Sequence, residues 1–217
     1  MKSVLISIHP KWCERIASGD KTVEVRKTRP RMETPFKCYI YCTRNARDSD
    51  KLWVLNKQRR QKYGGLTAVC ANLAERPYHY EGNGKVIGEV VCDHIDEAHW
   101  EHITGYAGWN IGWTGNCCLS NDDLMTYAGN KTMIYGWHIS DPKIYDEPKE
   151  LSEFTIEDKE AIRQCEYRRQ IYYAFTGDGY IKNGFYCNVD DDWCFGGCKR
   201  KALTRPPQSW CYVEELQ

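Results

Sequence analysis

The chain has 217 residues, 41% of them hydrophobic, with thirty Lys and Arg, thirty Asp and Glu, and twelve cysteines. That length holds one good-sized domain or a small domain with an appendage, and no apolar run approaches the ~18 residues that span a bilayer. Residues 1–12, MKSVLISIHPKW, lack the long apolar core and cleavage site of a secretory signal.

The expectation is a soluble cytoplasmic protein with no membrane association. Its unevenly spaced cysteines are then reduced thiols, mostly small buried hydrophobes, or metal ligands, rather than a disulfide framework. The overall charge balance conceals an asymmetry. Residues 1–62 hold sixteen Lys and Arg against six Asp and Glu, and the remainder reverses the imbalance to the same extent. A basic first third suits a nucleic-acid partner, although charged residues that merely solvate loops would give the same count.

Ser3 to Ile8 alternates as a strand with Val4, Ile6 and Ile8 on one side. His9-Pro10 opens a helix whose apolar face carries Trp12, Cys13 and Ile16, and Gly19 stops it. From Thr22 a second strand places Val23 and Val25 on one face and Glu24 and Arg26 on the other, with Lys21 at its mouth. Lys, Glu and Arg gathered at one strand end can hold or transform a polar ligand, or form an ion-pair network that only shapes the structure.

Phe36 to Thr43 reads as the third strand, with Tyr39, Tyr41 and Thr43 on one face; Tyr41 there could stack on or hydrogen-bond a base. Residues 44–84 read as a long insertion, beginning basic at Arg44 and carrying Arg59 and Arg60, phosphate-contact candidates of low specificity. In the strand from Gly84 to Ala98, alternation puts Glu89 beside Ile87 and Val91, so its carboxylate needs a partner, for which Lys21 is the candidate. A bulge at Gly88 would instead turn Glu89 to solvent.

Residues 98–115 read as an aromatic, glycine-rich loop, followed by a helix capped by Ser120 and Asp123 and ended by Gly129. Lys131 to Ser140 is a further strand, and Asp141 to Pro148 a proline-flanked link. Beyond it, Thr155 is expected to cap a helix running to about Phe175. Cys165, Cys187, Cys194 and Cys198 follow with spacing C-x21-C-x6-C-x3-C, whose last gap suits a structural zinc site. The closing RPPQSWCYVEE reads as a strand returning to the main body.

The run Gly19, Lys21, Glu24 and Arg26 matches G-x-K-x-x-E-x-R and resembles the signature of the ASCH domain, a PUA-like family, here as a bacterial or phage-type member with a cysteine-containing C-terminal extension. The resemblance covers roughly residues 1–142. It implies an α+β fold, a small mixed β-barrel with flanking short helices, with residues 143–217 as an extension braced by zinc or by packing alone. It also implies binding of single-stranded RNA or of a nucleoside or nucleotide derivative in a cleft of Lys21, Glu24, Arg26, Tyr41, Thr43 and Glu89, with no cofactor required there.

The rival expectation is a hydrolase acting on RNA or on an acylated cytidine, with Lys21, Glu24 and Glu89 as acid–base residues. In the amidohydrolase relatives a threonine stands where this chain has Glu24, so a nucleophilic hydroxyl is missing at that position. Protein partners are not indicated by the sequence.

Overall fold

The computed structural model describes residues 2–44, 52–55, 79–103, 106–110, 112, 114–165, 174–175, 181–182, 185–187, 192–194 and 199–216. Its strands are β1 (Lys2–Ile8), β2 (Val23–Arg26), β3 (Phe36–Cys42), β4 (Trp53–Leu55), β5 (His79–Glu81), β6 (Val86–Ile103), β7 (Tyr106–Asn110), β8 (Met133–Lys149) and β9 (Thr155–Glu157), followed by the short β10 (Ala174–Phe175), β11 (Ile181–Lys182), β12 (Phe185–Cys187), β13 (Asp192–Cys194) and β14 (Arg200–Ala202), and β15 (Trp210–Glu214). The helices are α1 (Pro10–Ala17), α2 (Thr114–Cys117), α3 (Asn121–Ala128) and α4 (Lys159–Arg163). No described helix is long and apolar enough to cross a membrane.

The main sheet runs β15-β1-β3-β6-β8-β2, with β7 hairpinned onto β6. It is mixed: β1 and β3 are parallel, while β15, β6, β8 and β2 join antiparallel. The two ends of this path meet. Arg26 on β2 donates to the Ser7 carbonyl of β1 at 2.7 Å, the Trp210 indole of β15 donates to Thr28 Oγ1 at 3.0 Å, and the Arg31 amide donates to the Tyr212 hydroxyl at 2.6 Å. The sheet therefore curls into a barrel-like wall whose seam is bridged largely by side chains.

The alternation read from the sequence decides what lies inside. Val4, Ile6, Ile8, Phe36, Cys38, Ile40, Cys42, Ile87, Val90, Cys92 and Trp137 face inward, with Cys13 and Ile16 of α1 packed against them. Val23 and Val25 point outward and are covered by Leu124 and Ala128 of α3 and by Trp109. Leu5, Tyr39 and Tyr41 also point outward and lie beneath Phe154, Leu203 and Val213, so the second face of β3 is buried as well. Cys13, Cys38, Cys42, Cys92, Cys117, Cys118, Cys165 and Cys211 are free thiols, the first five of them buried.

Several sequence expectations need correction. The segment predicted as an aromatic loop is the end of β6 and the whole of β7, paired through Trp100 and Trp109, whose rings meet edge-on at 5.5 Å. The predicted link from Asp141 to Pro148 belongs to β8; Asp141, at φ 50°, absorbs the irregularity while the strand continues. Thr155 opens β9 instead of a helix, and α4 is capped by Asp158, whose carboxylate accepts from the Glu160 and Ala161 amides. Ala174 and Phe175 form a strand, so no helix reaches them.

Capping was read correctly at α3, where Ser120 and Asp123 exchange reciprocal hydrogen bonds. Within residues 44–84, β4 and β5 form a two-stranded ladder, and Leu52 packs into the inner core.

Candidate functional site

Lys21 is placed by the turn after α1. Gly19 takes φ +82°, the left-handed conformation open to glycine, and the Lys21 amide then bonds back to the Arg15 carbonyl at 2.9 Å. The next amide, of Thr22, bonds to the Asn116 carbonyl at 3.0 Å, which ties the strand mouth to α2. The Lys21 side chain enters the interior, 2% exposed, and donates to the carbonyls of Val23 at 2.9 Å and Cys117 at 2.6 Å. Its ammonium also lies 5.1 Å from the centre of the Trp12 ring.

Glu24 stands between two cations. Its Oε2 is 3.3 Å from Lys21 Nζ and its Oε1 is 2.9 Å from Arg26 Nη2. All three side chains are buried. Two cationic groups around one carboxylate leave a positive charge in excess, met by the carbonyl oxygens of Ser7, Val23 and Cys117, by Ser209 Oγ and by the Trp12 ring. Arg26 Nε and Glu24 Oε2 have no hydrogen-bond partner among the described residues.

These groups line a cavity of about 290 Å³ whose walls also include His9, Trp12, Thr43, Tyr127 and Gln208. Burial pushes the Tyr127 hydroxyl up, against the opposing pull of the nearby Arg26. A second cavity of about 760 Å³ is lined by Tyr41, Arg44, Gly84 and Glu150, and shares Ser7, Thr43 and Gln208 with the first. The two therefore abut at Thr43. Arg44 is held over Gly84, where any Cβ would come within 2.6 Å of its Nε.

Of the residues singled out in the sequence, Lys21, Glu24, Arg26 and Thr43 are brought to one cavity, and Tyr41 and Arg44 to its neighbour. Glu89 is not among them, nor does it pair with Lys21. Its carboxylate accepts from the Tyr145 hydroxyl at 2.7 Å and lies 3.4 Å from Lys143 and 4.0 Å from Lys37. The cause is a bulge: β3 pairs Ile40 with Gly88 but Tyr41 with Val86, so Ile87 is the extra residue. Ile87 turns into the core, and Glu89 follows Tyr39 to the opposite face. Burial, together with hydrogen bonding to that carboxylate, holds the Tyr145 hydroxyl well above its ordinary value.

Arg59, Arg60 and Cys198 lie outside the described residues. Cys187 and Cys194 sit on the β12–β13 hairpin, opposite Asp192 and Phe185 in register, and Cys165 is a half-buried free thiol. Sequence reasoning assigned Trp12 to a helix core face and passed over Tyr127 altogether. Trp12 carried one signal, its spacing from Ile16 along the helix facing the signature turn; Tyr127 carried none.

The chain is similar to the crystal structure of ASCH from Zymomonas mobilis, with 17% identity, coverage of 69% of this chain and 73% of that one, and a TM-score of 0.44. Crystal structures of two mutant forms of the same protein are similar at 19% identity, one covering 70% of this chain and 77% of that one with a TM-score of 0.44, the other covering 69% and 74% with a TM-score of 0.43. No family model and no curated protein matches the chain.

Proposed function

We propose that this protein binds RNA or a nucleotide, and that the cavity beside Lys21, Glu24 and Arg26 takes one nucleoside unit. The carrying observation is the buried cluster of two cations around one carboxylate in the wall of a cavity of about 290 Å³. A guanidinium beside a carboxylate in one wall brings donors and acceptors together, and the edge of a base presents the complementary groups. Trp12 and Tyr127 offer aromatic surface, on which base stacking supplies roughly 1–3 kcal/mol. The excess positive charge favours a phosphate at the entrance.

The adjoining cavity past Thr43 toward Arg44 continues the path for a neighbouring nucleotide, and Arg59 and Arg60 are proposed as further phosphate contacts on charge alone. A hydrolytic reading would rest on Lys21 and Glu24, 3.3 Å apart, since Glu89 is engaged elsewhere. The same cluster serves that reading without favouring it.

The test is fluorescence anisotropy with labelled single-stranded RNA, cytidine monophosphate as competitor, and analysis of the RNA for cleavage and of N4-acetylcytidine for deacylation. Arg26→Gln and the cavity-filling Tyr127→Trp are each expected to weaken binding by about tenfold or more, and Arg44→Ala to lower the salt dependence by about one ion. Unchanged affinity in both cavity variants, each shown folded by circular dichroism, would remove the proposal. Product that disappears in Lys21→Met would move the reading to catalysis.

A further inference from the structure

Away from the cavity, β6 and β8 bring together two imidazoles and a carboxylate. His94 and His138 face each other directly in the ladder, and Asp96 lies two residues along β6 on the same side. Asp96 Oδ2 is 2.8 Å from His138 Nε2 and 3.8 Å from His94 Nε2. One ligand atom from each of the three residues lies within 4.8 Å of the others. The two rings are stacked, with centroids 3.8 Å apart and planes 16° from parallel. Trp137 and Ile139, which flank His138, point into the inner core, so His138 projects from the outer face of the sheet.

We propose that His94, Asp96 and His138 form a binding site for a divalent cation of the zinc, cobalt or nickel class, which cross-links β6 to β8. Two imidazole nitrogens and one carboxylate oxygen are a donor set suited to these ions and poorly suited to calcium or magnesium. Without a cation, a single carboxylate oxygen is the focus of two imidazoles. A metal ion satisfies all three donors at once.

Bonds of about 2.0–2.2 Å require donors closer together than the present spread. His94 has a side chain 55% exposed, free to turn its ring inward, while His138 is 23% exposed and braced by its hydrogen bond to Asp96. That bond prepositions two of the three donors. The register irregularity between Cys92 and His94 brings His94 opposite His138, and without that slip the two rings would not meet. The cation would leave coordination positions open to water, as expected of a site with three protein ligands.

Cobalt(II) is the probe, because its spectrum separates this site from any thiolate site elsewhere in the chain. Titration of the full-length protein is expected to give one equivalent bound with visible absorption but without thiolate-to-cobalt charge transfer. That equivalent is expected to vanish in His138→Ala and to weaken by roughly tenfold or more in Asp96→Asn, which preserves the side-chain shape. Cobalt should also raise the melting temperature of wild type and leave that of His138→Ala unmoved. Since the three side chains are partly exposed, the variants should melt near wild type without metal; the Asp96→Asn titration carries the test if His138→Ala does not fold. Cobalt bound only through thiolates, no binding at millimolar metal, or binding unaffected by both substitutions would each overturn the proposal.

Discussion

Glu24 is the residue whose removal should be felt most widely, because it holds Lys21 on one oxygen and Arg26 on the other in a buried setting. Removing one member of such a cluster leaves the others uncompensated, which costs about 3–5 kcal/mol. Glu24→Ala is therefore expected to lower unfolding stability by that order in urea titration, and Lys21→Met by less, because Arg26 remains to face the carboxylate. The thiols offer a second check. Burial pushes Cys92 up to about 12 and raises Cys13 and Cys38, so among described cysteines these three should resist alkylation in the native protein while the half-buried Cys118 reacts. Peptide mapping after brief iodoacetamide treatment would show that order.

The faces of β2 were legible because strict alternation over Val23 to Arg26 leaves one assignment. Glu89 was not, since a one-residue bulge carries no periodic signal and reverses every side chain beyond it.

At the scale of elements, the bulged pairing of β6 and β8 leaves little freedom at Gly88, where a Cβ would come 2.4 Å from the Lys143 carbonyl oxygen. Gly88→Ala is expected to destabilise by about 1–3 kcal/mol, the usual cost of overpacking, measured by chemical denaturation. The ion pairs around the last strand give a pH dependence. Hydrogen bonding to Lys2 holds the Glu157 carboxyl below its ordinary value, and Lys37 does the same for Glu215. A carboxyl with a folded value below its unfolded one contributes stability above the unfolded value, about 4.3, and loses it as pH falls toward the folded value. Melting temperature should therefore drop below about pH 4.3, and less steeply in a Lys2→Ala, Lys37→Ala double variant.

Strand positions were readable here and strand lengths were not. The second halves of β6 and β8 are rich in Asp, Glu, His and Pro, which locally signal loops; each is kept extended by pairing with the first half of the other strand, and β7 adds to the end of β6. The helix expected from Thr155 failed for a related reason: Asp158 is the better cap, and Thr155 to Glu157 pair with β14.

For the whole molecule, the seam between β2 and the β1–β15 pair makes the cavity depend on distant parts of the chain. Arg26 leans on Ser7 and Ser209, and the Ser7 hydroxyl donates to the Pro207 carbonyl across 200 positions of sequence. Deleting residues 204–217 should thus impair ligand binding and expose the edge of β1, seen as concentration-dependent self-association in sedimentation. This closure also sets a timetable during synthesis. β1 leaves the ribosome well before β15 and receives its antiparallel neighbour only when residues 210–214 follow, roughly 10–40 s later at ordinary elongation rates of about 5–20 residues per second. Throughout that interval the nascent chain carries an open strand edge, and the pocket around Arg26 lacks its last wall. The pocket should therefore be complete only once residues 210–214 have joined β1, and nascent chains stalled short of residue 210 should be engaged by chaperones.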